Sequence, residues 1–301
     1  MGKPKETKDI VEKEFLSFPD IAADVINALL YQGRKETEAK SLLTGPTESI
    51  YQGRKKLRNQ YEDVCKFEVT NGKIRLMYLI ANQTKTDGKM LLRKAGYTGG
   101  VYRSQYGDRT QKPFPVIAFV LYWGIPRWRG NRNSRRLFRH QELSEKAWSY
   151  IDEMKLHVFE MRYLPEETRK LFQSDMRIVV DFLAEGDSYR SSRKITHKAA
   201  LIRMIRVLSG DTDTEDVEKW ITEQEIREED EITVCELFDQ YERRGLAKGK
   251  AEGRLEGEEL FASLAQSLMS SGRFEDLSKA LSDQSYRNEL YIEAGLSYAA
   301  V

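Results

Sequence analysis

The chain has 301 residues, 40% hydrophobic and 32% charged, which is ample for a folded core and unlike a disordered or fibrous protein. Its two cysteines, Cys65 and Cys235, lie far apart without metal-binding spacing, which excludes a disulfide scaffold and suits a reducing compartment. The net charge of +1 hides an asymmetry: residues 1–210 carry 39 Lys+Arg against 25 Asp+Glu, while residues 211–260 carry 7 against 18. A basic body with an acidic segment is the footprint of a polyanion binder, so DNA is the expected partner. The start, MGKPKETKDIVEKEF, has no apolar leader. The longest apolar run, Val116 to Ile125, is too short to cross about 30 Å of hydrocarbon. A cytoplasmic protein with no membrane contact is expected.

In chain order, apolar residues at 21, 25, 26, 29 and 30 predict a helix over residues 20–32, with Asp20 near its start. A polar loop is expected from there to Ser49. Residues 61–69 and 73–80 are β-branched and aromatic runs joined by Asn71-Gly72, a strong hairpin signal. The second run is apolar on both faces, as in a central strand. Residues 89–105 read as a helix interrupted at Gly99-Gly100, residues 113–124 as a buried strand, 155–164 as a further strand, and 173–186 as a helix. The order is that of a mixed α/β domain in residues 1–210, followed by an all-helical C-terminal region, residues 211–301. Within that region, the acidic stretch 211–231 is an exposed helix or a linker. Gly245, Gly249, Gly253 and Gly257 recur every four residues, either as a stripe where a second helix packs or as a flexible tether. The pairing reading predicts a homodimer through the C-terminal helices.

A metal-dependent phosphodiesterase needs carboxylates to hold Mg²⁺ or Mn²⁺, and a compact arrangement puts one acid on each strand of a hairpin. Asp63 stands on the first strand. The second ends in Ala81, Asn82, Gln83, Thr84 and Lys85. A carboxylate at 81 would complete the pair, with Gln83 the polar residue two positions on. A two-residue turn places 63 opposite 80, whereas one β-bulge or a longer turn brings 63 opposite 81.

The succession YEDV, hairpin, IANQTK, LLRKAGYTGGVYRSQ and PFPVIAFVLYWG resembles the recombination-promoting nuclease/transposase family, a branch of the PD-(D/E)XK nucleases. The resemblance covers residues 8–185, and the glycine-repeat tail is loosely similar. It implies a PD-(D/E)XK restriction-endonuclease-like core, with a mixed central sheet flanked by helices, and a DNA endonuclease of recombination or phage defence. By the same resemblance Asp63 matches the metal-binding aspartate and Gln83 stands in the usual lysine position. The backbone carbonyl of Asn82 would add a metal ligand. The match fails at Ala81, where the family has glutamate, so this chain is expected to hold metal weakly and to cleave poorly or not at all. Either a glutamate was replaced by design or it was lost naturally, leaving a non-catalytic DNA-binding or regulatory protein.

Other residues carry open alternatives. Lys85 contacts phosphate or caps a solvated strand end. Arg93 and Arg103 flank the glycine pair and position phosphate or buttress Asp63 in a structural network. The segment 126–140 holds Arg127, Arg129, Arg132, Arg135, Arg136 and Arg139, and is a DNA-contacting loop or a solvated insertion. His140, His157 and His197 show no ligand or triad spacing.

Overall fold

The computed structural model describes residues 8–45, 48–53, 56–61, 64–107, 112–210 and 233–296. The chain divides into two compact units, Met1–Val234 and Cys235–Val301. The acidic stretch 211–231 lies outside the described residues.

The first unit begins with helices α1 (Lys8–Phe15) and α2 (Pro19–Leu30), the latter opened by a proline whose fixed φ suits a first helical turn. A short strand β1 (Leu42–Thr44) follows, then a separate two-stranded ribbon of β2 (Glu48–Gly53) and β3 (Lys56–Tyr61). Next come β4 (Val64–Thr70), β5 (Lys73–Gln83), α3 (Met90–Gly107) and β6 (Val116–Tyr122). The single turns α4 (Ser134–Leu137) and α5 (Glu145–Trp148) lead to β7 (His157–Glu160). The unit then continues through α6 (Glu166–Arg169), α7 (Met176–Glu185) and α8 (Lys198–Ser209).

The central sheet has the order β1-β4-β5-β6-β7. β1, β4 and β5 pair antiparallel, whereas β5, β6 and β7 run parallel, with α3 as the β5-to-β6 crossover. β5 is central, flanked on both sides and buried from Leu76 to Asn82, which explains why its sequence is apolar on both faces.

The segment expected as a loop up to Ser49 supplies β1, three residues long and without alternation of its own. Its edge position is fixed by pairing with β4, Leu42 opposite Glu68. Asn71 and Gly72 both adopt positive φ, +50° and +72°, the conformation a tight hairpin turn needs. The helix expected to break at Gly99-Gly100 runs unbroken as α3. Each glycine costs about 1 kcal/mol of helix propensity, a weak local preference that the tertiary setting of this 18-residue helix overrides. The strand expected over 155–164 is only four residues and passes into a 3₁₀ turn at Met161–Tyr163.

One face of the sheet carries a buried polar network. The Tyr78 hydroxyl donates to the buried Glu68 carboxylate (3.1 Å) and lies 3.0 Å from Thr37 Oγ1 and 3.1 Å from the Tyr31 hydroxyl. Arg75 pairs with the same carboxylate at 2.9 Å. Next to it the fully buried Lys66 donates to the Ser17 carbonyl (2.8 Å) and Thr44 Oγ1 (2.9 Å). Burial pushes the Lys66 pKa below its usual 10.5. The folded chain therefore holds fewer protons than the unfolded one between the lowered value and 10.5, and stability rises with pH across that window. Lys66→Met is expected to reduce that rise, read from urea midpoints between neutral pH and 10.5. An unchanged slope would refute the assignment.

In the second unit, α9 (Val234–Ser270) continues through all four periodic glycines as one helix of 37 residues, and α10 (Phe274–Ser282) and α11 (Gln284–Glu293) follow. Leu264, Leu268, Ala280 and Leu290 form its small core. A Cβ at Gly253 would meet open space, so among the described residues nothing packs on that point of the stripe.

Candidate functional site

The site is set by the end of β5. The pairing of β4 with β5 shifts between Glu68 and Val69: Val69 faces Ile74, but Glu68 faces Leu76. Arg75 is thus an extra residue, a β-bulge, and from it the register runs to Val64 opposite Ile80. This is the offset in which the rung after Val64–Ile80 belongs to positions 63 and 81. Asp63 itself lies outside the described residues.

Alternation along β5 gives each face its own residues. Ala81 pairs with Val120 and Gln83 with Tyr122, on the face covered by α3. The Ala81 methyl is only 3% exposed, in a cluster with Met90, Leu91, Val120 and Tyr122. Asn82 points the other way, where its Oδ1 accepts the indole N–H of the buried Trp123 at 3.0 Å. Gln83 carries a backbone bond from Trp123 N, 2.8 Å, that extends the strand pairing to its last residue.

Beyond Gln83 the strand opens into a cleft of ≈ 340 Å³. Asn82, Gln83, Thr84 and Lys85 form one wall, and α1 supplies Lys8, Asp9 and Glu12. The four residues singled out from the sequence at this strand end, Ala81, Asn82, Gln83 and Lys85, are thus adjacent, but only the last three border the cleft. The α1 residues were missed. The sequence signal was Ile10, Val11 and Phe15 at helical spacing, which marks a helix but not what it crosses. Glu12 is 2% exposed, and Asp9 is bound by Lys13 at 2.7 Å. Burial lowers the Lys8 pKa, with Glu12 holding it up and Arg162 adding to the fall.

Gly124 closes the strand end. A Cβ there would lie 2.5 Å from the Thr84 carbonyl and would collide with the Tyr122 hydroxyl. The backbones after β5 and β6 therefore touch only because residue 124 has no side chain. Gly124→Ala is expected to cost about 1–3 kcal/mol by overpacking, measured by denaturant unfolding. A variant as stable as the parent would show that the two strand ends do not make this contact.

Arg93 and Arg103 are both on α3, separated by ten residues and so by about 15 Å along its axis. Arg93 donates to the hydroxyl of the buried Tyr97 at 2.8 Å and covers that ring, one turn along the same helix, while Arg103 is exposed. The structure does not bring the two together.

The arginine-rich segment is an ordered insertion rather than an open loop. Trp128 is buried edge-on against Tyr122 (5.2 Å between centroids), and Asn133 caps α4 by accepting from Arg136 N. Leu156 N donates to the Arg132 carbonyl at 2.7 Å, tying the segment to the approach to β7. Its arginines divide. Arg127 and Arg132 pair with Glu160 (3.6 and 2.9 Å), and Arg135 makes a forked bond to Glu145 (2.8 and 3.0 Å) while lying over Trp148. Arg129, Arg136 and Arg139 are exposed and form no ion pair among the described residues.

The histidines do not make a site. His197 bonds Asp20 at 2.9 Å and stacks on Phe18, holding α2 near α8, and His140 lies against Gln141. Among the described residues no group of three or more His, Cys, Asp or Glu side chains is placed to hold a metal ion. A hard divalent cation needs oxygen ligands, and Ala81 offers a methyl enclosed by apolar side chains. The side chains described at this strand end do not fit one.

Fold and site thus define an α/β protein with a polar cleft at the carboxyl end of a central strand, followed by a helical C-terminal region. A family model described as "Putative transposase, YhgA-like" matches residues 6–216. The chain belongs to that family, a transposase and nuclease family of the PD-(D/E)XK type. No curated protein and no solved structure matches it. No helix among the described residues is long and apolar enough to cross a membrane.

Proposed function

We propose that the chain is a DNA-binding protein of the transposase and nuclease class, built on a PD-(D/E)XK core, in which phosphodiester hydrolysis is silenced at position 81. The observation that carries this is the register of β5. The bulge at Arg75 gives the offset in which positions 63 and 81 share a rung, and Gln83 follows on the same face. A carboxylate at 81 would meet Asp63 in the arrangement that holds Mg²⁺ or Mn²⁺ for an endonuclease of recombination or phage defence. The antiparallel β1-β4-β5, the crossover α3 and the parallel β6 support such a core. The glycine-bearing helix α9 supports a homodimer through the C-terminal helices.

A second reading has its own observation. Ala81 is 3% exposed and clusters with the apolar Met90, Leu91 and Val120, as in a protein that uses the fold to bind DNA without cutting it. Supercoiled plasmid separates the two. Ala81→Glu is expected to nick it when Mg²⁺ or Mn²⁺ is added, and the parent chain only to retard it. A folded Ala81→Glu protein that binds plasmid yet never nicks it would overturn the silenced-nuclease reading and leave the binding one.

A further inference from the structure

The arginine-rich insertion carries two aromatic rings outside the core: Tyr150 is 77% exposed, and Trp148, two residues before it, is half-buried. We propose that Tyr150, with Trp148 beside it, is a stacking platform for the unpaired bases of a DNA strand, so that the insertion favours single-stranded or melted DNA over duplex. The inference rests on the proposed DNA-binding reading and concerns which form of DNA this face prefers.

The backbone beneath the rings is ordered. Ser144 caps α5 by accepting from Ala147 N at 3.2 Å, and the turn continues past the end of the helix. There Tyr150 N donates to the Ala147 carbonyl and Ile151 N to the Trp148 carbonyl, both at 3.1 Å. The excursion is closed at its base, where Ser134 N donates to the Met154 carbonyl and Met154 N to Ser134 Oγ, again at 3.1 Å. A tyrosine has only two side-chain torsions to fix, so on an ordered turn it gives up little entropy when something stacks on it. Charge says what that something is. The Arg135 guanidinium lies 5.1 Å from the Trp148 ring centroid, and the Lys146 ammonium 5.1 Å from that of Tyr150. Residues 126–156 carry eight Lys+Arg against four Asp+Glu. Arg135 ties α4 to α5 through Glu145, so Arg136 and Arg139, exposed and without an ion pair among the described residues, belong to the same small body. An apolar protein surface would gain nothing from this excess of cations. A polynucleotide uses both features, phosphates against the arginines and base faces against the rings. A duplex hides its base faces in its own stack, so only unpaired bases can reach Tyr150. Arg129 N lies 3.5 Å from Thr86 Oγ1, which places the start of the insertion beside the end of β5.

The test uses the full chain and fluorescein-labelled probes of equal length, read by anisotropy: a single strand, its duplex, and an abasic strand with the same phosphates and no bases. The parent is expected to bind the single strand more tightly than the abasic one. Tyr150→Ala should weaken the single strand about 10-fold, leave the duplex and the abasic strand unchanged, and keep the salt slope, because no charge is removed. Tyr150→Phe should bind as the parent does and Tyr150→Leu as Tyr150→Ala does, which separates stacking from apolar contact. The side chain is exposed, so these changes should not disturb folding, and a thermal melt of each variant checks that. A parent that holds the abasic strand as tightly as the natural one overturns the inference, as does a Tyr150→Ala variant with parent-like affinity for the single strand. Duplex binding preserved in either case leaves the DNA-binding reading standing, whereas a parent that binds none of the probes defeats both.

Discussion

Ala81→Glu is expected to make the first unit less stable by about 3–5 kcal/mol in the absence of metal, the sum of overpacking and of placing a carboxyl among apolar side chains. For a unit of this size that is a fall in Tm of very roughly 6–20 °C. The environment dictates the pH dependence. A carboxyl enclosed by Met90, Leu91 and Val120 would titrate above its unfolded value, so the folded chain would bind more protons than the unfolded one. Stability then falls as pH rises from the unfolded pKa through the raised one, and the deficit should be larger at pH 8 than at pH 5. Mg²⁺ or Mn²⁺ reverses the sign of the local field. If position 81 is a ligand position, metal should restore about 2.7 kcal/mol at a hundredfold excess over Kd, most strongly at the higher pH. Thermal melts of parent and variant in EDTA, Mg²⁺ and Mn²⁺ give the result without any cleavage assay. A variant with the predicted deficit and no response to either metal would mean that the position is core and the resemblance stops short of the metal.

The parts of this site that could be read in the sequence were those where one strand carries the information. β5 was evident because a strand flanked on both sides must be apolar on both faces, and its hairpin turn because only residues such as Asn71 and Gly72 accept positive φ readily. The strand end, Asn82 to Lys85, followed from the abrupt change to polar residues. The bulge was open because Arg75 looks like any polar strand residue. Its displacement is visible only in what faces Glu68. The α1 wall of the cleft was hidden for another reason. Lys8 and Glu12 reach β5 by tertiary packing across about 70 residues of chain, and a helical period states which face is buried but not against which strand. β1 and the β2–β3 ribbon escaped because short strands are held by their partners rather than by any pattern of their own.

The arginine-rich insertion was legible as charge but not as a division of labour, and the division makes the second strong prediction. A guanidinium already neutralised by a carboxylate gains little on meeting a phosphate, because one ion pair is exchanged for another. An exposed unpaired one displaces a condensed counterion from DNA and adds to the salt slope. Arg129, Arg136 and Arg139 are in the second condition; Arg135 is in the first, and Arg127 and Arg132 share the one Glu160 carboxylate, which offsets one of their two charges. Replacing Arg129, Arg136 and Arg139 together by Gln is therefore expected to weaken duplex binding about 10–100-fold near 0.1 M salt. The slope of log K against log salt should fall by about 2–3, at ~0.9 per contact. Replacing Arg127, Arg132 and Arg135 should change the slope much less and should instead loosen the insertion, since the forked Arg135–Glu145 bond and the Arg132–Glu160 pair help to order it. Glu160→Gln provides the reverse experiment. It would release Arg127 and Arg132 from their carboxylate, and the duplex should bind more tightly with a steeper salt slope. Anisotropy titrations of one labelled duplex at several salt concentrations, run on the parent and the three variants, decide the matter. Equal losses from the two arginine sets, or a Glu160→Gln variant that binds no better than the parent, would show that DNA does not meet this face.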